Sequence, residues 1–334
     1  MNAQHSTAKK KEINKWLRSN SFRSVALVLL LMLCALSAGM AVGAITEDDV
    51  YRVLTENSVK YDTQLVHDGM IAGMLRSVDS RACLLSTNDI IRIKNLVTIA
   101  STEKLSANIG YLKLNGLYKG SGDKICRELE SNTNEYISGH ILDLRGAGGN
   151  DLQSVNNVIN HFSASNTLLY NITDNSGGII EGYSTPSSNV TENHSPFMVL
   201  VNENTHDASE VLAALLKGKE HVLLIGSATK GHRGLMEVIP YSELESLYIV
   251  TKHVVLADTT FSFTNGVAPD IFVTEDSTNS SDLAVSGKIL IGKNISPKAQ
   301  TDRKLMERVA NDAVLRRATD VLLALKAVNN YGCK

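Results

Sequence analysis

Two short segments of this chain hold side chains that are capable of acid–base or nucleophilic chemistry. The first runs from Val201 to Glu210 and the second from Gly226 to His232. Among their side chains are the carboxylate of Asp207, the imidazoles of His206 and His232, and the hydroxyls of Thr205 and Ser209. An imidazole can activate a neighbouring hydroxyl for attack on a carbonyl, whereas a carboxylate is a weak nucleophile towards amides. Asp207 is therefore poorly suited to attack a peptide bond itself.

Asp207 also has a purely structural interpretation. It begins a helical pattern over 207–219, and Glu210 follows three residues later. An Asp at the N-cap with a Glu at N3 is typical of a capping box, in which the Asp side chain accepts from a backbone N–H of the first turn. The helix N-terminus also favours a negative charge. We therefore predict that Asp207 caps this helix.

The segments around these residues alternate between strand and helix patterns. Short apolar runs predict buried strands at 109–114, 140–144, 197–201 and 221–225. Amphipathic segments between them predict helices at 121–133, 151–163 and 207–219. Because strands separated by helices are joined by crossovers, we expect a mainly parallel sheet in an α/β fold. Further strands are predicted within 236–263, and a C-terminal helix over about 302–326.

Three motifs resemble those of the C-terminal processing, or tail-specific, serine proteases. They are Leu142-Asp-Leu-Arg-Gly-Ala-Gly-Gly149, Ala208-Ser-Glu210 and Gly266-Val-Ala-Pro-Asp270. Gly69–Ser80 adds a weaker match, and the resemblance covers roughly 60–275 and the last helix. It implies a ClpP/crotonase-like β/α spiral core with an N-terminal helical segment and a C-terminal helix.

The residue pattern and the resemblance together divide the chain into four parts. These are a basic tail with an apolar anchor or signal peptide (1–45), a helical segment that begins at a Thr46 cap (46–105), the protease-like core (106–275) and a loop with the C-terminal helix (276–334). Family members usually insert a PDZ domain before the core, which captures a substrate's C-terminal carboxylate by strand addition. Only about 25 residues separate Leu85 from Ile109, too few for such a domain, so we predict that the PDZ domain is absent.

The resemblance also places substituted residues at the catalytic positions of the family. The nucleophilic Ser falls on Asp207, the general-base Lys on His232 and the Gln that orients the Lys on Met236. Oxyanion-binding N–H groups are implied at Gly148, Gly149 and Ala208, although the two glycines are equally explained by a tight turn.

Asp207 and His232 are 25 residues apart, as the Ser and Lys of the family are, so we expect an Asp–His pair. Because nucleophile, base and orienting residue are replaced together, the resemblance predicts a catalytically impaired homologue. Such a protein would bind unfolded polypeptide or protein C-termini, or act as a partner of an active protease relative.

The alternative hypothesis is an active hydrolase of the same fold with an altered site. In it His232 acts as the base, and a nearby hydroxyl or a water molecule is the nucleophile. Ser209 and Thr205 are the candidate displaced nucleophiles, and His206 is a second candidate base. A thioester ligand is a third interpretation that rests on fold analogy alone.

The charge distribution favours a membrane location over nucleic-acid binding. The net charge of −2 leaves no basic surface typical of nucleic-acid binding. Six basic residues and one acid in the first 23 residues precede an uncharged apolar run over 24–45. This run predicts a membrane anchor, or alternatively a signal peptide cleaved near Ala44, with the main body outside the cytoplasm. Histidines and cysteines match no metal site, and no cofactor is expected.

Overall fold

The computed structural model describes residues 45–96, 99–105, 108–131, 139–187, 195–258, 265–274 and 307–332. The chain divides into two compact units, Met1–Gly69 and Met70–Lys334. The basic tail, nearly all of the apolar run 24–45 and most of the segment between the core and the last helix lie outside the described residues. Within the described ranges, no helix has both the length and the apolar character that crossing a membrane requires.

The chain has a mixed α/β fold. The helices are α1 (Glu47–Glu56), α2 (Thr63–Val78), α3 (Thr87–Lys94), α4 (Gly122–Ser131), α5 (Leu152–Ile159), α6 (Asp207–Leu216) and α7 (Ala313–Gly332). The strands are β1 (Cys83–Ser86), β2 (Ile99–Leu105), β3 (Ile109–Leu114), β4 (Gly116–Leu117), β5 (Gly139–Asp143), β6 (Gly148–Gly149), β7 (Leu168–Asp174), β8 (Ile179–Ser184), β9 (Phe197–Val201), β10 (Val222–Gly226), β11 (Gly234–Pro240), β12 (Glu245–Leu256) and β13 (Ile271–Phe272).

The first unit contains α1, whose start was predicted from Thr46 and the acids that follow it. A capping box forms there: the backbone N–H of Asp49 donates to the Thr46 hydroxyl at 3.3 Å, and the N–H of Thr46 donates to the Asp49 carboxylate at 3.1 Å. These bonds satisfy two N–H groups, one in the first turn of the helix and the other on the cap residue itself. The predicted helix start is confirmed.

A six-stranded sheet forms the centre of the second unit, in the order β13-β10-β9-β5-β3-β2. Every neighbouring pair is parallel except β2 with β3. The four strands predicted from apolar runs are all in this sheet, so the expectation of a mainly parallel sheet is confirmed.

Alternating side chains of this sheet enter two different apolar clusters. On β3, Leu112 and Leu114 pack in the cluster that contains α5 and α6 residues, whereas Ile109 and Tyr111 pack with residues of α7. The sheet is therefore covered on both faces, which explains why its strands are apolar almost without interruption.

A second sheet is antiparallel and surrounds the long strand β12. Strand β11 pairs along one edge of β12, while β1 and β7 pair with different stretches of the other edge, and β8 extends the sheet from β7. The β7–β8 hairpin was not predicted. Most β8 residues are exposed, so the hairpin lacks the apolar alternation that would reveal it.

Ionic contacts tie the start of α7 to the end of β5. Arg145 donates to Asp143 and to Asp312, each at 2.7 Å through Nη2, and the Tyr111 hydroxyl donates to Asp143 at 2.8 Å. Burial opposes ionisation of Asp312, but its bonds with Arg145 outweigh that effect and lower its pKa. The network fixes the backbone immediately before the glycine-rich turn at 146–149.

His140 provides a test of this packing through the pH dependence of stability. It is 3% exposed on β5, and burial lowers its pKa to about 4. An unfolded chain, with a histidine pKa of about 6.5, binds a proton that the folded chain rejects between these values. Stability should therefore be intact above pH ~6.5 and fall by up to about 3 kcal/mol as the pH drops towards 4.

Replacement of His140 by Leu should flatten this part of the stability profile, measured by urea unfolding between pH 7 and pH 4.5. The exposed His67 serves as the control, because His67→Gln should keep the slope of the natural chain. An unchanged slope in His140→Leu would contradict the assignment.

Candidate active site

Asp207 begins α6 in an unusual backbone conformation. Its φ of +53° lies in the left-handed region, which Asp tolerates better than most residues. The N-cap of α6 is His206, whose side chain makes no capping hydrogen bond. The prediction that Asp207 caps the helix is therefore wrong. The Asp207 side chain is 9% exposed. Its carboxylate is bonded to other side chains, as described next, rather than to backbone N–H groups in the first turn of α6.

Arg81 is a partner of Asp207 that the sequence analysis missed. Its Nη1 donates to Oδ1 of Asp207. Its Nε and Nη2 donate to the two carboxylate oxygens of Asp79 at 3.0 and 2.8 Å. The guanidinium, with 17% of the side chain exposed, thus lies between two carboxylates. We call Asp79, Arg81, Asp207 and His206 the ion cluster.

Opposite charges within the ion cluster stabilise the ionised forms of Arg81 and Asp79. Burial alone would lower the pKa of Arg81, but its bonds with Asp79 and Asp207 outweigh burial and raise it. The hydrogen bonds from Arg81 lower the pKa of Asp79. One guanidinium held between two carboxylates forms a structural ion triad with a residual negative charge.

His206 binds the second oxygen of Asp207. Its Nδ1 is 2.8 Å from Oδ2 of Asp207, and 37% of the side chain is exposed. A proton on Nδ1 leaves Nε2 of a neutral imidazole as a hydrogen-bond acceptor. The ring packs on Gly148, where a β-carbon would overlap it, and the His206 N–H donates to the Ala147 carbonyl at 3.0 Å. His206 therefore joins Asp207 to the glycine-rich turn.

The predicted hydrogen-bonded pair between Asp207 and His232 does not form. His232 is close enough for Asp207 and Asp79 to oppose the lowering of its pKa, which burial and the charge of Arg81 cause. Its Nδ1 is buried without a hydrogen-bond partner among the described residues. The contacts of Asp207 are made instead with Arg81, through one oxygen, and with His206, through the other.

Glu210 holds the backbone of the loop that carries His232. Its buried carboxylate accepts from the Thr229 hydroxyl, from the Gly231 N–H at 2.6 Å and from the His232 N–H at 2.7 Å. Burial raises the pKa of Glu210, and these three bonds oppose the rise. Glu210 therefore ties the loop to α6, and it does not return to the helix cap as a capping box requires.

The two candidate hydroxyl nucleophiles are bonded to backbone carbonyls. Ser209 donates to the Gly148 carbonyl at 2.7 Å, and Thr205 donates to the Leu144 carbonyl at 2.8 Å. Both residues are fully buried. Met236, which the resemblance had placed at the position of the orienting Gln, lies on β11 with 1% exposure and belongs to the interior.

The three candidate oxyanion-binding residues are packed into the turn. The Gly148 N–H lies 3.4 Å from the Asn115 carbonyl, and Ala208 is fully buried. Gly149 has a φ of +100°, and a β-carbon there would overlap the backbone of Leu117. Pairing of β6 with β4 and the His206 ring thus account for both glycines.

Two tyrosines near Asp207 were also missed. Burial raises the pKa of Tyr248 to about 12 and raises that of Tyr118, and the charge of Asp207 adds to both effects. They remain neutral hydrogen-bond donors beside the ion cluster at physiological pH. Among the described residues, no group of three or more His, Cys, Asp or Glu side chains is arranged to hold a metal ion.

Known proteins resemble this part of the chain. The family model described as Peptidase family S41 matches residues 108–273. A carboxyl-terminal-processing protease of Picosynechococcus sp. is 31% identical over 151 residues, which is 45% of this chain and 35% of that protein. The chloroplastic carboxyl-terminal-processing peptidase 2 of Arabidopsis thaliana is 29% identical over 166 residues, 49% of this chain and 32% of that protein. The match thus spans about a third of these relatives.

Two solved structures share the fold over most of the chain. A candidate peptidase from Parabacteroides merdae is 19% identical with a TM-score of 0.53, covering 86% of this chain and 92% of that one. A lipoprotein from Streptococcus agalactiae is 17% identical with a TM-score of 0.51, covering 73% and 90%. At these identities the similarity establishes the fold alone.

A double-mutant cycle tests the ion cluster. Arg81→Met should destabilise the protein by about 3–5 kcal/mol, because two acids are left without their cation. Asp207→Asn removes one of those acids, so the double variant should be more stable than the sum of the single changes predicts, with a coupling of at least ~1 kcal/mol in urea unfolding.

The exposed pair Arg92–Asp89, at 3.9 Å, provides the matched control. Arg92→Met with Asp89→Asn should show a coupling below about 0.5 kcal/mol. If the Arg81–Asp207 coupling were as small as this, the ion cluster would not contribute to stability as described.

Proposed function

The chain contains a peptidase family S41 domain at residues 108–273, and we propose that this domain binds polypeptide without hydrolysing it by serine–lysine chemistry. Polypeptide is the proposed ligand because the named relatives process protein carboxyl termini. An active protease relative, acting as a binding partner, is a narrower form of the same proposal. The apolar run 24–45, nearly all of which lies outside the described residues, supports a membrane-anchored protein with its main body outside the cytoplasm.

One observation carries the proposal: the residue at the nucleophile position is an Asp whose two oxygens bind Arg81 and His206. A carboxylate is a weak nucleophile towards amides, and both oxygens of this one already contact neighbouring side chains. Its negative charge would also oppose an oxyanion that forms beside it. The hydroxyls of Ser209 and Thr205 do not replace it, since both are buried and bonded to carbonyls.

The base position gives independent support. A general base needs a lone pair directed at the proton that it removes. The imidazole of His232 has a buried Nδ1 without a partner, and Met236 offers it no orienting hydrogen bond. The scaffold around these positions is nevertheless kept, through the Glu210-bound loop and the glycine-rich turn.

The test compares the full chain with its Asp207→Ser/His232→Lys/Met236→Gln variant on an unfolded protein substrate, by gel and mass spectrometry. We expect no cleavage by the natural chain and measurable cleavage by the triple variant. Arg81 favours that outcome, because a neighbouring cation lowers the pKa of a lysine and keeps it unprotonated.

The control is the same variant with Ala in place of Ser at position 207, which should be inactive. Binding of the unfolded protein by the natural chain is measured in parallel by fluorescence anisotropy. Cleavage by the natural chain that is lost in His232→Ala would falsify the proposal, and so would the absence of polypeptide binding.

A second candidate function is hydrolysis with His206 as the general base and water as the nucleophile. The observation that favours it is the 2.8 Å contact between His206 Nδ1 and Asp207, together with the partly exposed ring. A carboxylate that binds Nδ1 of an imidazole orients the ring so that Nε2 can remove a proton. This assigns to His206 the role that the sequence had suggested for His232.

Hydrolysis of an activated aryl ester distinguishes the two functions. If His206 acts as base, His206→Ala should reduce turnover at least ~100-fold and Asp207→Asn should reduce it as well. His232→Ala should leave turnover unchanged, as the matched histidine control. Turnover that is equal in all four proteins, or absent, would exclude this second function and leave polypeptide binding in place.

A further inference from the structure

Two tyrosines beside Asp207 have no part in the proposed function. The side chains of Tyr118 and Tyr248 are partly buried, and neither hydroxyl is hydrogen-bonded within the described part of the chain. A neutral phenol oxygen can accept a hydrogen bond as well as donate one. These two oxygens are therefore available to a ligand that approaches Asp207.

Tyr118 and His206 lie side by side over a pair of glycines. Gly116 of β4 is paired with Gly148 of β6. A β-carbon at Gly116 would lie 2.8 Å from the phenol oxygen of Tyr118. A β-carbon at Gly148 would lie 2.7 Å from Nε2 of His206. Because paired residues of adjacent strands direct their β-carbons to the same face of a sheet, the phenol oxygen and Nε2 are neighbours on one side of the glycine-rich turn.

Tyr248 reaches the same region from the antiparallel sheet. It lies on β12 and is paired with Cys83 of β1, two residues beyond Arg81. Burial is the main cause of its raised pKa, and the charge of Asp207 and the phenol of Tyr118 add to the rise. The phenol of Tyr248 is therefore close enough to both groups for a single ligand to contact all three.

The residual negative charge of the ion cluster is directed towards the tyrosines. At Tyr248, Asp207 raises the pKa by more than Arg81 lowers it. At Tyr118, the charge of Asp207 adds to burial in raising the pKa. At His232 the order is reversed: burial lowers the pKa most, and Arg81 then has a larger effect than Asp207. The ion cluster thus has a negative side towards the tyrosines and a positive side towards His232.

The polar atoms on the negative side suit a primary ammonium group. An ammonium has three N–H donors and no acceptor. The two phenol oxygens and Nε2 of His206 provide three neutral acceptors, and Asp207 provides the opposite charge. Hydrogen bonds from a cation are stronger than those between neutral groups. A carboxylate in the same place would be repelled by Asp207.

We propose that the region bounded by Tyr118, Tyr248, His206 and Asp207 binds the ammonium group of a lysine side chain in the bound polypeptide. We call this region the ammonium site. The inference rests on the proposed polypeptide-binding function and names the side chain that the domain selects. Lysine fits better than arginine, because its compact ammonium meets three separate acceptors, whereas the planar guanidinium matches a bidentate acceptor.

The test measures binding of two fluorescein-labelled peptides to the full chain by fluorescence anisotropy. Both have the same unstructured sequence with one central lysine, which is Nε-acetylated in one of them. Acetylation removes the charge and keeps the alkyl chain. We expect the unmodified peptide to bind about tenfold more tightly, because hydrogen bonds from a charged group contribute more than neutral ones. Added salt should reduce this preference.

Substitutions locate the preference within the site. Tyr118→Phe and Tyr248→Phe each remove one acceptor and keep the ring, so each should reduce the preference about threefold. Asp207→Asn removes the negative charge and should abolish the preference. Tyr241→Phe is the matched control, because Tyr241 is an exposed tyrosine between β11 and β12, and it should keep the full preference. Thermal unfolding checks each fold, and the two Phe variants decide the test if Asp207→Asn does not fold.

A free amine is the other source of the same chemistry. Cadaverine has the alkyl ammonium group of lysine without a polypeptide attached. We expect it to displace the lysine peptide only at concentrations far above the Kd of the peptide, because it lacks the remaining contacts. Displacement at concentrations close to that Kd would assign the site to a free amine and overturn the assignment to lysine.

The outcomes separate this inference from the proposed function. Equal binding of both peptides overturns the ammonium site but leaves polypeptide binding by the domain. A preference for the unmodified peptide that persists in Tyr118→Phe, Tyr248→Phe and Asp207→Asn also overturns it, since the ammonium is then bound elsewhere. Failure of both peptides and of the unfolded protein to bind overturns the proposed function together with the inference.

Discussion

The buried charge of Asp207 is the constraint on which the rest of the candidate site depends. A carboxylate that is 9% exposed requires a cation or several donors, because an unpaired buried charge is costly. Arg81 provides the cation, and Asp79 holds Arg81 in turn through two hydrogen bonds. His206 uses the remaining oxygen, and its ring then requires a glycine at position 148. One carboxylate thus determines the positions of groups from three distant parts of the sequence.

A second buried network holds the opposite end of the same turn. Arg145 precedes the glycines and is paired with Asp143 and Asp312, so the backbone enters the turn at a fixed position. On the far side of α6, Glu210 fixes the loop that carries His232 through backbone N–H groups. These contacts hold the backbone around residues 148, 207 and 232, and they involve none of the side chains at positions 207, 232 and 236. A scaffold held in this way therefore carries no information about activity.

Strands that follow from local apolar periodicity could be predicted from the sequence. Side-chain contacts between residues far apart in the chain could not. Strands β3, β5, β9 and β10 are continuous apolar runs because both sheet faces are covered, so they were identified nearly to the residue. The cap at Asp207 and its pair with His232 were wrong, because Arg81 is 126 residues away and its role has no local signal. The only local indication was that Asp79 and Arg81 are two residues apart. This spacing permits two hydrogen bonds between them and leaves a further N–H group of Arg81 for a buried acid from another part of the chain.

If the proposed function is correct, the absence of serine–lysine chemistry is a property of the network rather than of position 207 alone. Catalysis requires groups whose interactions strengthen as the transition state forms. The hydrogen bonds and ion pairs of the ion cluster are already formed in this structure, so we expect them to stabilise the fold rather than a transition state. A serine at position 207 would remove a partner of both Arg81 and His206, which leaves the guanidinium bound to Asp79 and the imidazole without an orienting acid. Restoring the family chemistry would therefore require changes at 207, 232 and 236, and of these only the change at 207 disturbs the ion cluster.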